Sequence, residues 1–189
     1  MSLHSINPAP SAWLKRFVHL IPQGEVLDLA SGAGRNCAVL RKAGHAVLAL
    51  DRDPELLKQA AKLGAATLCH DLEAESAIWP FAVGRFAGIV ICNYLHRALF
   101  PSILASLAPG GVLIIETFGQ GNEQFGKPSN PRFLLAPEEL LDLARFAPDQ
   151  PLRVVAYESG YVDSPKPAII QRVCLVKAAV NHSPLGEIH

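Results

Sequence analysis

An α/β fold is predicted for this chain: a single doubly wound domain built on a mostly parallel seven-stranded sheet with an antiparallel C-terminal hairpin strand. Three observations predict it. Five short apolar runs alternate with turns or helical segments between residues 25 and 117, the order that a parallel sheet requires. Those runs are apolar on both faces, as in strands covered by helices on both sides. Two later apolar runs flank a turn-rich segment through Gly160 and Pro167, which suits an antiparallel hairpin.

The elements follow in order. Residues 1–20 read as an N-terminal helical cover whose opening helix lies within 10–20, with Trp13, Leu14, Phe17 and Val18 as a packing stripe. Pro22-Gln23-Gly24 breaks the chain before the strand Glu25–Leu29. Gly32 and Gly34 mark a turn, a helix runs from about Arg35 to Lys42, and Gly44 ends it before the strand Ala46–Leu50. Asp53 caps the next helix, with Pro54 at its first position and Gly64 as its stop. Ala66–Cys69 is a short third strand, and Glu73–Gly84 carries no clear pattern. Phe86–Cys92, a helix over 98–107 and the strand Val112–Thr117 complete the parallel part. A long polar-aromatic loop fills 118–134, a helix runs from Pro137 to about Phe146, and Val154–Glu158 and Ile169–Val176 close the chain. Tyr157 and Glu158 opposite Gln171 and Arg172 are expected to brace that hairpin. No repeat or domain break interrupts residues 1–189.

Composition narrows the function. Half the residues are hydrophobic, which argues against wholesale disorder. Seventeen Lys plus Arg balance seventeen Asp plus Glu, leaving only a local basic patch to attract nucleic-acid phosphates. The apolar runs are too short to cross a bilayer, and His4, Asn7, Pro8 and Pro10 replace a signal peptide's apolar core. A cytoplasmic, non-membrane protein is expected. Cys37, Cys69, Cys92 and Cys174 lie far apart with no Cys-x-x-Cys pair, so no metal site is expected and Cys69 and Cys92 read as buried free thiols.

The segment Asp28-Leu29-Ala30-Ser31-Gly32-Ala33-Gly34-Arg35-Asn36 joins a strand to a helix. Its glycines permit a sharp turn and close approach of a ligand, and the helix start offers backbone N–H groups to negative charge. Asp51 ends the second strand, where its carboxylate either accepts both hydroxyl hydrogens of a ribose or simply faces solvent. Cys37 stands where the dinucleotide fingerprint has its third glycine, and no second mononucleotide half follows. A nucleoside ligand smaller than NAD or a flavin is the better match.

Residues Val26–Asp51 resemble class I S-adenosylmethionine-dependent methyltransferases, which share this Rossmann-like architecture. Asp28 and Gly32-Ala33-Gly34 match the first cofactor motif. Arg35-Asn36, Gly44-His45-Ala46-Val47 and Asp51 resemble the tellurite-resistance type branch, whereas Ala30-Ser31 departs from its Gly-Cys pair. The resemblance covers about residues 24–118. It implies S-adenosylmethionine as cofactor, on Asp28, Ala30, Ser31, Gly32, Gly34, Arg35, Asn36, Asp51, Arg52, Asp71, Leu72, Asn93 and Tyr94. In that reading Asp51 takes the ribose and Asp71 with the Leu72 backbone takes adenine, although Asp71 equally suits a helix cap. Asn93-Tyr94 falls at the methionine and methyl end; a turn Asn and a core Tyr are the plain alternatives.

On the acceptor side, His96 is a candidate proton acceptor and Arg97 a candidate anion binder, or both serve local backbone and surface pairs. The 118–134 loop is expected to form an acceptor lid through Glu123, Phe125, Asn130, Arg132 and Phe133, its alternative being a surface crossover. The function expected is methyl transfer to a small-molecule acceptor. RNA or protein methylation, and noncatalytic S-adenosylmethionine binding, are the competing classes.

Overall fold

Strands Glu25–Leu29 (β1), Ala46–Asp51 (β2), Ala66–Cys69 (β3), Phe86–Cys92 (β4), Leu107–Phe118 (β5), Leu152–Val162 (β6) and Ala168–Lys177 (β7) form one sheet ordered β3-β2-β1-β4-β5-β7-β6. The computed structural model describes residues 9–75, 77–145 and 152–178. Pairs from β3 through β5 are parallel, and β7 runs antiparallel to both β5 and β6. The predicted hairpin is present and longer than its apolar core suggests. Glu158 lies opposite Arg172 in its register, and the Tyr157 hydroxyl donates to Gln171 Oε1 at 3.2 Å.

Helices Ala12–Phe17 (α1), Cys37–Lys42 (α2) and Pro54–Lys62 (α3) share one apolar cluster with Val26, Val47, Val90, Val112 and Ile114. On the opposite face, Leu27, Leu29, Ile89, Ile91 and Leu113 pack with Phe100–Ser106 (α4) and with Leu140 of Glu139–Asp142 (α5). Alternate residues of one strand therefore serve two cores, which is why the central strands read as unbroken apolar runs. Burying each such Leu or Ile contributes roughly 1.5–3 kcal/mol before chain entropy is charged against it.

Several boundaries differ from expectation. Arg35 and Asn36 extend the expected glycine turn rather than opening the helix, so α2 begins at Cys37. The opening helix ends at Phe17 in a tight turn over Val18–Leu20, and a similar turn at Arg97–Leu99 precedes α4. Leu107 already pairs with Phe86, which moves the start of β5 ahead of Pro109-Gly110-Gly111. Glu138 adopts φ 62°, a left-handed conformation that no α-helix interior accepts, so α5 starts at Glu139 and not at Pro137. The expected end of that helix at Phe146, and residues 1–8 of the N-terminal cover, lie outside the described residues. Cys69 is exposed rather than buried, because β3 is an edge strand whose residues mostly face solvent; Cys92, in the central β4, is buried. No helix among the described residues is long and apolar enough to cross a membrane.

Candidate active site

β1 sits between β2 and β4, where the chain reverses its direction of travel across the sheet. The carboxyl ends of strands at such a switch point form a crevice suited to ligands. Here the chain leaves β1 through Ala30 at φ 54°, Gly32 at φ 54° and Gly34 at φ 79°. The two glycines do different work. A Cβ on Gly34 would stand 2.7 Å from the Ala60 side chain, so that glycine lets α3 pack against the loop. A Cβ on Gly32 would meet nothing within 4 Å, leaving open approach to the loop backbone.

Asp51 Oδ2 accepts the Gly32 N–H at 2.7 Å and Oδ1 accepts the Asp53 N–H at 3.0 Å. The carboxylate is thereby fixed against the loop, with further lone pairs still able to accept hydroxyl hydrogens. It lines a cavity of about 200 Å³ together with Ala30, Leu50, Arg52, His70, Asp71, Leu72, Glu73 and Tyr94. Asp71 Oδ1 accepts the Glu73 N–H at 2.9 Å, which holds that turn open beside the cavity. Leu50 and Leu72 supply apolar walls, and His70 Nε2 lies 3.1 Å from the Ile78 carbonyl. Burial, with the Glu73 carboxylate nearby, pushes the Tyr94 hydroxyl well above its ordinary range, so Tyr94 stays protonated at neutral pH. Glu73 follows Asp71 and Leu72 in the turn that the sequence places near adenine, whereas Leu50 and His70 carry no sequence signal beyond their places at the ends of β2 and β3.

Other expected cofactor residues sit behind this cavity. Asp28 is 1% exposed and accepts the Cys37 thiol. Asn36 Oδ1 accepts the Ser11 N–H at 3.1 Å, which ties the start of α1 to the loop. Ser31 is buried and donates its N–H to the Leu50 carbonyl at 3.0 Å. These three shape the loop without lining the 200 Å³ cavity, and Arg35 lines a different one.

Asn93, at φ 58°, ends β4 and forms the rim. With Tyr94, Leu95, Thr117, Phe118, Pro128, Phe133 and Glu73 it encloses about 220 Å³. His96, Arg97, Arg132, Phe133 and Glu73 border a further hollow of about 440 Å³. Arg97 is already engaged: its guanidinium donates to both Glu139 oxygens, at 2.5 and 2.8 Å, and to the Arg132 and Leu134 carbonyls. It pins the end of the long loop to α5.

That loop divides its expected residues. Arg132 and Phe133 face the 440 Å³ hollow. Glu123 instead accepts its own turn's Gly121 N–H at 2.9 Å, Asn130 caps the Arg132 N–H at 3.0 Å, and Phe125 packs on Tyr161 with ring centroids 5.4 Å apart. The loop's buried anchor is Asn122, which donates to the Pro128 carbonyl and accepts the Ile169 N–H. A last cavity of about 380 Å³ opens on the other side of Asn93 and Phe118, between the start of α1 and the β6–β7 turn.

Residues 26–111 match the methyltransferase domain family. A solved S-adenosylmethionine-dependent methyltransferase from Methanosarcina mazei superposes with a TM-score of 0.65 at 14% identity, covering 86% of this chain and 97% of that one. The chain has the fold of class I S-adenosylmethionine-dependent methyltransferases, and its residues 26–111 are similar to their domain family. Among curated relatives, trans-aconitate 2-methyltransferase from Klebsiella pneumoniae is 32% identical over 111 residues, covering 54% of this chain and 42% of the relative. Protein-L-isoaspartate O-methyltransferase from Chlorobaculum tepidum is 29% identical over 110 residues, covering 57% and 51%. The chain thus spans about half the length of the curated relatives it matches. The donor set of the 200 Å³ cavity fits an adenosine: a fixed carboxylate for vicinal hydroxyls, a second acidic turn, and two leucine walls.

Proposed function

We propose that this chain transfers the methyl group of S-adenosylmethionine to a small-molecule acceptor in the cytoplasm. The observation that carries the reading is Asp51, fixed by the Gly32 and Asp53 N–H groups at the mouth of a 200 Å³ cavity at the switch point. Asp51 would hold the ribose hydroxyls, Asp71 and the Leu72 backbone the adenine edge, and Asn93 with Tyr94 the methionine end. When bound, the cofactor supplies an electrophilic methyl on a sulfonium. The protein's share is to align the acceptor and exclude water. The hollows around Asn93 are each a few hundred Å³, a scale that favours a small acceptor.

A protein acceptor is the second reading, favoured by the isoaspartate methyltransferase among the relatives. Two measurements test the proposal. Calorimetry should find saturable binding of S-adenosylmethionine and S-adenosylhomocysteine in preference to NAD; NAD binding with no response to either sulfur nucleoside removes it. Labelled S-adenosylmethionine, offered with metabolite, RNA and protein fractions, should place label in the metabolite fraction. Label confined to protein would transfer the assignment to the second reading.

A further inference from the structure

We infer that the cavity between α1 and the β6–β7 turn binds the methyl acceptor through its negative charge, and that the acceptor is a small acid carrying two or more anionic groups, carboxylate or phosphate. The inference rests on the methyltransferase reading and adds the substrate class to it.

Position comes first. The 380 Å³ cavity shares Asn93 and Phe118 with the 220 Å³ hollow, which shares Glu73 and Tyr94 with the adenosine-sized cavity. The three form one continuous rim along the carboxyl ends of the strands. A molecule in the 380 Å³ cavity therefore adjoins the end of the cofactor site opposite the adenosine.

Charge comes second. Lys15, Arg35, Lys166 and Arg172 line this cavity against one carboxylate, Glu116. That carboxylate is spoken for: Oε1 accepts the Ser11 hydroxyl at 3.0 Å and Oε2 lies 3.3 Å from Arg172. Arg172 is likewise engaged, by Glu116 and Glu158. Among the described residues, Lys15, Arg35 and Lys166 have no carboxylate partner. Lys15 and Lys166, without a carboxylate partner among the described residues, thus converge on one cavity with Arg35, whose guanidinium donates to the Ala9 carbonyl at 3.4 Å and whose charge is felt by the buried Asp28, in a chain whose formal net charge is zero. Like charges gathered without counter-charge repel, and a concave site strengthens their common field. An acid with two or more negative groups relieves that repulsion, whereas a neutral or cationic acceptor does not.

The 440 Å³ hollow lacks this character, because Arg97 is occupied by Glu139 and two carbonyls and its other cation, Arg132, shares the hollow with the Glu73 carboxylate. Nor does His96 face the basic cavity. With no histidine among the described residues on its wall, the site suits a nucleophile that needs no proton removed, such as an ionised acid oxygen, which would form the O–CH3 bond as the S–CH3 bond breaks and S-adenosylhomocysteine leaves.

The test is calorimetry on the full chain saturated with S-adenosylhomocysteine, titrated with citrate, with pyrophosphate and with glycerol as the neutral control. Citrate or pyrophosphate should bind saturably, glycerol should not, and added salt should weaken the anion. The tighter of the two identifies carboxylate or phosphate as the preferred group. Lys15→Ala with Lys166→Ala removes two exposed cations without touching the adenosine-sized cavity, and should weaken the anion about tenfold with S-adenosylhomocysteine affinity unchanged. Lys15→Gln with Lys166→Gln, which keeps length and polarity, should behave alike. Failure of both anions to bind, or equal binding to wild type and variants, overturns the inference while nucleoside binding stands. Anion binding without any S-adenosylhomocysteine binding would instead overturn the methyltransferase reading and leave the anion site.

Discussion

The Cys37 thiol donates to Oδ2 of Asp28 at 3.3 Å, beneath the loop that carries Gly32 and Gly34. Cys37 occupies the place of the third fingerprint glycine, and its sulfur partners a carboxylate that water cannot reach. Burial pushes the Asp28 carboxyl from 3.8 up to about 7, against the lowering effects of Cys37, Arg35 and Asn36. A carboxyl raised on folding favours the protonated folded state. Its stabilisation is complete below pH 3.8 and is lost as pH rises through about 7. Asp28→Asn should therefore flatten the decline in stability between pH 4 and 8, a change on the order of 4 kcal/mol at most. Urea unfolding across that range checks it, and parallel curves for wild type and variant would count against a buried ionising Asp28.

Asp51→Ala removes the acceptor for the Gly32 and Asp53 N–H groups as well as the proposed ribose contact. S-adenosylhomocysteine binding should weaken by about 1–3 kcal/mol. Calorimetry on variant protein shown to be folded separates loss of contact from loss of structure. Wild-type affinity would strip Asp51 of its role.

Ala30 holds φ 54° at the end of β1, in a region where a Cβ costs roughly 1–2 kcal/mol. Glycine avoids that cost but gains freedom in the unfolded chain. Ala30→Gly should raise folding stability by about 0.5–1 kcal/mol, read as a higher melting temperature. A fall in melting temperature would show that the Ala30 methyl group packs in the cavity wall more than it strains the backbone.

The sequence disclosed the frame better than the site. Strand runs such as Phe86–Cys92 are apolar on both faces because both faces are covered, so the parallel sheet could be read from those runs and their alternation with turns and helices. Asp51 was legible because a strand end followed by a capped helix fixes its position. The basic cavity was not: Lys15, Arg35 and Lys166 come from an N-terminal helix, the glycine loop and the β6–β7 turn, and only the folded sheet brings them together. Overall charge concealed them, since acids elsewhere cancel the total. Arg97, read either as an anion binder or as a local or surface pair, is paired. Its partner Glu139 is 42 residues away, and nothing local reveals that the guanidinium is already committed.

That commitment yields a prediction of its own. Burial raises the Glu139 carboxyl, but the Arg97 fork and the Ala136 N–H outweigh it and hold it below the usual range. The pair therefore stabilises the fold above the ordinary carboxylate range and weakens as pH falls through it. Arg97→Ala should cost about 1 kcal/mol and expose the 125–134 segment to limited proteolysis, with Arg97→Lys partly protective. An unchanged digestion pattern would deny the pin.

The long loop supplies the last prediction, because its charged side chains do not share a surface. Glu123 is folded back on the Gly121 N–H, and Phe125 packs on Tyr161, away from the hollows. Arg132 and Phe133 instead line the 440 Å³ space beside His96, and Phe133 also borders the hollow at Asn93. If the loop aids closure over bound acceptor, the contribution comes from its second half. Phe133→Ala should lower kcat/KM for the identified acceptor by about tenfold, the scale of an apolar wall of this size, with S-adenosylmethionine affinity retained. Glu123→Ala should leave acceptor kinetics within about twofold and cost only a few tenths of a kcal/mol in stability, as expected for an exposed turn contact. Both measurements are needed, since distortion of the cofactor cavity would lower activity by another route. Loss of activity in Glu123→Ala with Phe133→Ala unaffected would place the working half of the loop at its tip. Full kinetics in both variants would leave residues 118–134 as a surface crossover, held by Asn122 and Arg97 for the sake of the fold.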